Sequence, residues 1–277
     1  MKLSVGFSSC PNDTFMFFAM VQQHTDCEGL SFDVQMADIE QLNKMATDGA
    51  LDVTKISTGA FADVSGKYQM LQAGSALGFK NGPLLVSKQK IYPDEINELR
   101  IAIPGVKTTA NLLLGILYPG AKMKVPYLFS TIEEAVLSNE VDAGLIIHEN
   151  RFTYQKKGLR KVVDLGEAWE DSTGHPIPLG NIAVRRDFNE ELKQKINRVL
   201  HRSITFAFHN QRECYPYIKK HAQEIDDEVI ARHIDLYVND FSLALGKEGQ
   251  HAIRLLLNKG MEVGILNKIE NEIFINN

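Results

Sequence analysis

The feature that most constrains this chain is an alternation of short apolar strands with helical stretches that begins at the first residues. Strand patterns fall at 3–7, 31–36, 53–57, 84–86, 100–103, 124–127, 143–147, 161–163 and 182–184, with helical patterns near 14–22, 40–47, 108–117 and 132–139. Strands and helices interleaved in this way are the mark of α/β units carrying a largely parallel sheet. After Arg186 the pattern changes, and Leu192, Ile196, Leu200 and Ile204 recur every four residues on one helical face. The C-terminal third therefore reads as helices packed on an existing sheet.

At 277 residues the chain exceeds what one core fills comfortably, so two domains are expected. Two segments read as crossings between them: the polar run 88–98 that follows an apolar strand, and Pro178-Leu179-Gly180-Asn181. If the chain crosses at both, residues 1–87 plus 185–277 form one α/β lobe and residues 88–184 a second, inserted lobe. That is the two-lobed layout of a periplasmic-type (type II) binding protein, with a ligand cleft between the lobes.

Composition narrows the function. Apolar residues make up 44% and charged residues 23%, which excludes disorder and fibrous repeats. The net charge of −5 with scattered lysines and arginines offers no basic stripe, so nucleic acid is not an expected partner. No run approaches the roughly 20 apolar residues of a bilayer span, so membrane insertion is not expected. Met1 to Phe7 lead straight into Pro11-Asn12-Asp13, without the apolar core of a signal peptide, and a cytoplasmic location is expected. Cys10, Cys27 and Cys214 form no Cys-x-x-Cys pair, and Cys10 reads as a small packing residue.

Four constellations are candidates for chemistry. Ser8-Ser9-Cys10-Pro11-Asn12-Asp13-Thr14 joins a strand to a helix, with Asn12 or Asp13 as N-cap, at the sheet edge where α/β ligands bind; a plain capped turn explains it as well. Lys55-Ile56-Ser57-Thr58-Gly59 runs from a strand into a helix start that suits an anion, though a solvated lysine beside a capped turn fits the same residues. Alternation puts Lys55 and Ser57 on one face and Ile56 on the other. Pro104-Gly105-Val106-Lys107-Thr108-Thr109-Ala110 opens another helix, and its hydroxyls and backbone donors suit a carboxylate; the spacing of a P-loop is absent. Gly144-Leu145-Ile146-Ile147-His148-Glu149-Asn150-Arg151 ends a buried strand on an imidazole between an acid and a base, a setting for general-base work or for a structural histidine. The remaining histidines, His233 and His251 among them, show no metal-ligand spacing, and no metal is expected.

Taken in order, these stretches resemble the 1,4-dihydroxy-6-naphthoate synthases of the futalosine route to menaquinone. The likeness rests on residues 8–15, Lys55-Ile56-Ser57, residues 104–110, the Ile147-His148-Glu149 run with Arg151-Phe152-Thr153-Tyr154, Pro178-Leu179-Gly180, and Tyr237-Val238-Asn239 with Phe241-Ser242-Leu243. It implies a lyase that converts cyclic dehypoxanthine futalosine to 1,4-dihydroxy-6-naphthoate without a cofactor. It also implies His148 as the base and Lys55, Ile56, Ser57, Thr109 and Ala110 as substrate contacts. Asn12, Asp13, Thr108, Glu149 and Arg151 are candidates for the cleft wall. Two alternatives stay open: the sibling chorismate dehydratases, not expected to carry Ile-Ile-His-Glu, and a solute-binding receptor of the same fold, which would normally carry an export signal.

Overall fold

The computed structural model describes residues 1–222 and 226–276. The chain starts in a first sheet with β1 (Lys2–Phe7), α1 (Pro11–Val21), β2 (Ser31–Met36), α2 (Ile39–Asp48), β3 (Val53–Ser57), α3 (Phe61–Val64), β4 (Tyr68–Met70) and β5 (Ala76–Gly78). It then builds a second sheet with β6 (Leu84–Ser87), β7 (Ile101–Ile103), α4 (Thr109–Leu117), β8 (Lys124–Pro126), α5 (Ile132–Leu137), β9 (Ala143–Ile146), α6 (Asn150–Thr153), β10 (Arg160–Asp164) and α7 (Leu165–Thr173). The long β11 (Ile177–Arg185) returns to the first sheet, and α8 (Glu190–His209), α9 (Gln211–His221), α10 (Asp227–Tyr237), α11 (Asp240–Leu243) and α12 (Gly246–Glu262) complete the chain.

The first sheet has the order β2-β1-β3-β11-β4, with β5 also paired to β11, and the second β10-β6-β9-β7-β8. Only part of each is parallel. β1 runs parallel to β2 and β3, whereas β11 opposes β3, β4 and β5 because it re-enters the sheet from the other lobe. In the second sheet β7 is parallel to β8 and β9, while β6 opposes β9 and β10. The expectation of largely parallel sheets gives way to two mixed ones.

The sheets also divide the chain earlier than the polar segments suggested. β6, grouped with the first lobe on sequence, lies in the second sheet: Leu85 faces one core layer of that sheet, and Leu84 and Val86 the other. The polar run after it holds a 3-10 turn at Pro93–Glu98. β11, mostly grouped with the second lobe, lies in the first sheet. The chain passes between sheets at residues 79–83 and 174–176.

Helices cover both sheets. The face of β1 carrying Leu3, Val5 and Phe7 packs on α1 and on Ile196, Leu200 and Ile204 of α8, the stripe of four-residue spacing, and Phe7 stacks on Phe17 with ring centroids 4.4 Å apart. Ile56, Tyr68 and Met70 bury the opposite face against Ile253 and Leu257 of α12. Among the described residues no helix is long and apolar enough to cross a membrane.

Candidate active site

The ends of β3, β5, β9 and β11 and the starts of α1 and α4 converge on a cleft of about 590 Å³, its open mouth included. Its wall includes Asn12, Lys55, Ser57, Asn81, Thr108, Thr109, Ala110, His148, Leu179, Gly180, His233 and Tyr237.

His148 follows β9 and takes a left-handed backbone, φ 59°. That region is disfavoured for residues with a Cβ, although histidine and asparagine enter it more readily than most, and such strain collects at functional sites. The imidazole is half-buried. Its Nδ1 lies 3.4 Å from the Cys10 Sγ, its edge meets Phe129 with centroids 5.0 Å apart, and its face stacks on His233 at 6.2 Å. Burial pushes its pKa down to about 4, the Lys55 cation adding to the shift and Asp13 opposing it. The neutral ring therefore prevails over the whole physiological range. Burial, with Glu149 and Asp13 adding to it, raises the Cys10 thiol far above its usual range, so the sulfur stays protonated. Cys10, His148 and Glu149 bring their ligating atoms within 4.8 Å of one another.

A buried charge pair links the cleft wall to the layer behind it. Asp13 carries no exposed surface and Lys55 only 5%, and the Lys55 ammonium bonds to Asp13 Oδ1. Asp13 also accepts from the Ser8 backbone at 3.0 Å, the Ser8 hydroxyl at 2.6 Å and Asn12 Nδ2 at 3.0 Å. With its amide nitrogen committed to Asp13, Asn12 turns Oδ1 to His233 Nε2 at 3.0 Å, so that nitrogen carries the proton. The other ring nitrogen of His233 faces Glu149 at 3.6 Å. Burial, reinforced by His148 and Lys55, holds the His233 pKa well below its usual value.

Two further groups open onto the cleft. Asn43 takes both polar atoms of Ser57, accepting from its backbone N–H at 2.8 Å and donating to its Oγ at 3.0 Å, which leaves the hydroxyl proton to be donated elsewhere. Thr108 caps α4, its Oγ1 accepting from Asn111 N at 3.3 Å. Thr109 Oγ1 is committed as well, accepting from Gly59 N at 3.1 Å and donating to the Leu179 carbonyl at 2.5 Å. The donors α4 offers a ligand are therefore the backbone N–H groups of its first turn, at Thr109 and Ala110, which have no intrahelical acceptor.

The family model described as menaquinone biosynthesis matches residues 3–262. The chain belongs to that family. It is 41% identical over 273 residues to the 1,4-dihydroxy-6-naphtoate synthase of Thermus thermophilus, covering 99% of each protein. It is 38% identical to the enzyme of that name from Streptomyces coelicolor, across 95% of this chain and 94% of that one. A solved protein of Archaeoglobus fulgidus superposes with a TM-score of 0.91 at 36% identity, over 96% of this chain and 98% of that one. The alkanesulfonate-binding protein of Xanthomonas axonopodis superposes at 0.73 with 12% identity, over 99% and 96%, a likeness of fold alone. The two-lobed periplasmic-binding-protein architecture read from the sequence holds.

In this menaquinone-biosynthesis family member, the residues singled out on sequence divide into two groups. Asn12, Lys55, Ser57, Thr108, Thr109, Ala110 and His148 line the cleft. Ile56, Asp13, Glu149 and Arg151 stand behind it. Ile56 points into the core with Phe61 and Tyr68, as strand alternation requires. Asp13 lies under Lys55, Glu149 is 6% exposed beside His233, and Arg151 pairs with Asp164 and the Gly82 carbonyl. Nor is Asn12 or Asp13 the cap of α1: that position is Cys10, and Pro11, which lacks an N–H, takes the first helical place. Sequence reasoning missed His233 and Tyr237 on α10 and Asn81 between the sheets. The signal for the first two was a histidine and a tyrosine four residues apart on the face that buries Val229 and Ile230.

Proposed function

We propose that this chain is a lyase, a 1,4-dihydroxy-6-naphthoate synthase acting on cyclic dehypoxanthine futalosine, with His148 as general base. One observation carries the reading: a neutral imidazole, held in a strained backbone at a strand end, opens onto the same cleft as a hydroxyl whose proton is left to donate and the donors of a helix start. Fragmentation to an aromatic product needs a proton removed and the resulting oxyanion supported, and aromatisation then drives the reaction. The neutral nitrogen of His148 takes the proton. Ser57 and the Lys55 ammonium are the donors nearest in kind to what the oxyanion requires. The carboxylate seats on the N–H groups of Thr109 and Ala110, helped by the α4 dipole. Every group in this scheme belongs to the chain, and the reaction is expected to need no cofactor. A cytoplasmic location fits a biosynthetic role of this kind.

Purified protein incubated with cyclic dehypoxanthine futalosine, without added metal or nucleotide, is expected to release 1,4-dihydroxy-6-naphthoate, followed by mass. A non-catalytic receptor would bind and release its ligand unchanged, and absence of product would overturn the reading.

The pH profile follows from the depressed base. Because the working form is neutral and its pKa lies at about 4, kcat/KM should hold from neutral pH downward and fall only as pH passes through that value. An acid limb centred near the ordinary histidine value, about 6.5, would show that the titrating group is another. Simple aromatic carboxylates should compete for the α4 site, raising KM at unchanged kcat; the dipole contribution of ~0.3–1 kcal/mol makes them weak ligands. Inhibition that lowered kcat instead would put the carboxylate site elsewhere.

A further inference from the structure

Between the two sheets the chain runs Phe79-Lys80-Asn81-Gly82-Pro83, and the middle residue is set into the cleft wall. Asn81 has no exposed surface, and among the described residues neither atom of its carboxamide has a hydrogen-bond partner. Buried amides in folded proteins are almost always satisfied, and one that is not costs stability. Its surroundings keep it in place. A Cβ at Gly78 would stand 3.0 Å from Asn81 Nδ2, so the missing side chain there lets the amide lie against β5. A Cβ at Gly82 would fall 2.3 Å from the Gly166 Cα, so the segment is pressed on the first turn of α7. The Gly82 carbonyl accepts from Arg151 at 2.6 Å, and Arg151 is anchored in turn by Asp164.

A polar group held with open valences in a cleft wall is preorganised for a ligand. We propose that Asn81 binds the hydroxyl-bearing, sugar-derived part of the substrate, an inference that rests on the function proposed above. A carboxylate is the wrong guest, because it would meet the amide oxygen as well as the nitrogen, and it has its own donors at the start of α4. A carboxamide offers a donor and an acceptor side by side. Hydroxyl groups answer both, one donating to Oδ1 and one accepting from Nδ2.

The test is Asn81→Leu, which keeps the size and removes the polar atoms. Loss of these bonds, with substrate hydroxyls left unpaired against an apolar side chain, should lower kcat/KM for cyclic dehypoxanthine futalosine about 10- to 100-fold, mostly through KM. Affinity for 1,4-dihydroxy-6-naphthoate, which lacks the sugar fragment, should stay within about twofold, since none of its contacts is removed. Thermal unfolding should be unchanged or shifted upward, because an unpaired buried amide is gone. Three results would each overturn the proposal: unchanged kinetics, an equal loss of affinity for the naphthoate, or a Tm lowered by more than about 3 °C, which would mark a structural amide. Failure of the wild-type chain to turn over the substrate would instead sink the functional reading, and this one with it.

Discussion

Replacing His148 with asparagine should lower turnover about 10²–10⁴-fold while leaving the fold and substrate binding intact. Asparagine is the informative choice because residue 148 has a backbone φ of 59°, a conformation that asparagine tolerates better than alanine does. The variant therefore removes the basic nitrogen without adding strain. It keeps a polar group beside Cys10 and Phe129 but has no lone pair basic enough to take a proton. Single-turnover kinetics, with substrate affinity measured separately, would show kcat collapse at a nearly constant Kd. Turnover within a few fold of wild type would assign the proton transfer to another group, and His233, stacked on His148, would be the next to test.

The second large effect is on stability. Asp13→Ala would leave the Lys55 ammonium buried without its counter-charge, and breaking a buried pair in this way costs about 3–5 kcal/mol. For a chain of this length that corresponds to a fall in Tm of roughly 6–20 °C. Lys55→Met should cost less. Asp13 would keep its bonds from the Ser8 backbone, the Ser8 hydroxyl and Asn12, so its carboxylate would remain satisfied. Combining the two substitutions should recover part of what Asp13→Ala loses, and calorimetry on the three variants measures the coupling. A single Asp13→Ala variant as stable as the wild type would mean that the pair contributes nothing to the fold.

The elements legible in the sequence were those whose side chains repeat with one period over enough residues. β2 and β3 have the bounds expected of them, and the stripe on α8 packs on the first sheet. β4 and β5 are three residues each, too short for alternation to register, and all their residues are buried. Only the apolar end of β11 was visible, since Pro178-Leu179-Gly180-Asn181 read as a crossing between domains; pairing to β3 on one side and β5 on the other makes strand of that stretch. The site shows the same division. His148 and the α4 start announce themselves through local chemistry at an element boundary. His233 does not, because what places it is an amide 221 residues away. Asn81 carries no motif or periodic signal, and its significance comes from burial, which has no local signature.

The position of β11 sets an order of assembly. This strand lies between β3 and β4, so until residue 185 has been made the first sheet lacks the member that joins its two parts. Every strand of the second sheet, by contrast, falls within residues 84–164. On a ribosome the inserted lobe can close on its own contacts while the paired β1, β2 and β3 and the separate β4 and β5 still lack the strand that joins them, and the host lobe is sealed only afterwards. Pairing β11 with β3 closes a long stretch of chain, an entropic cost that the more local pairings of the second sheet largely avoid. The cleft wall is completed by Leu179 and Gly180 of this same strand, so the ligand-binding surface is among the last parts of the molecule to exist.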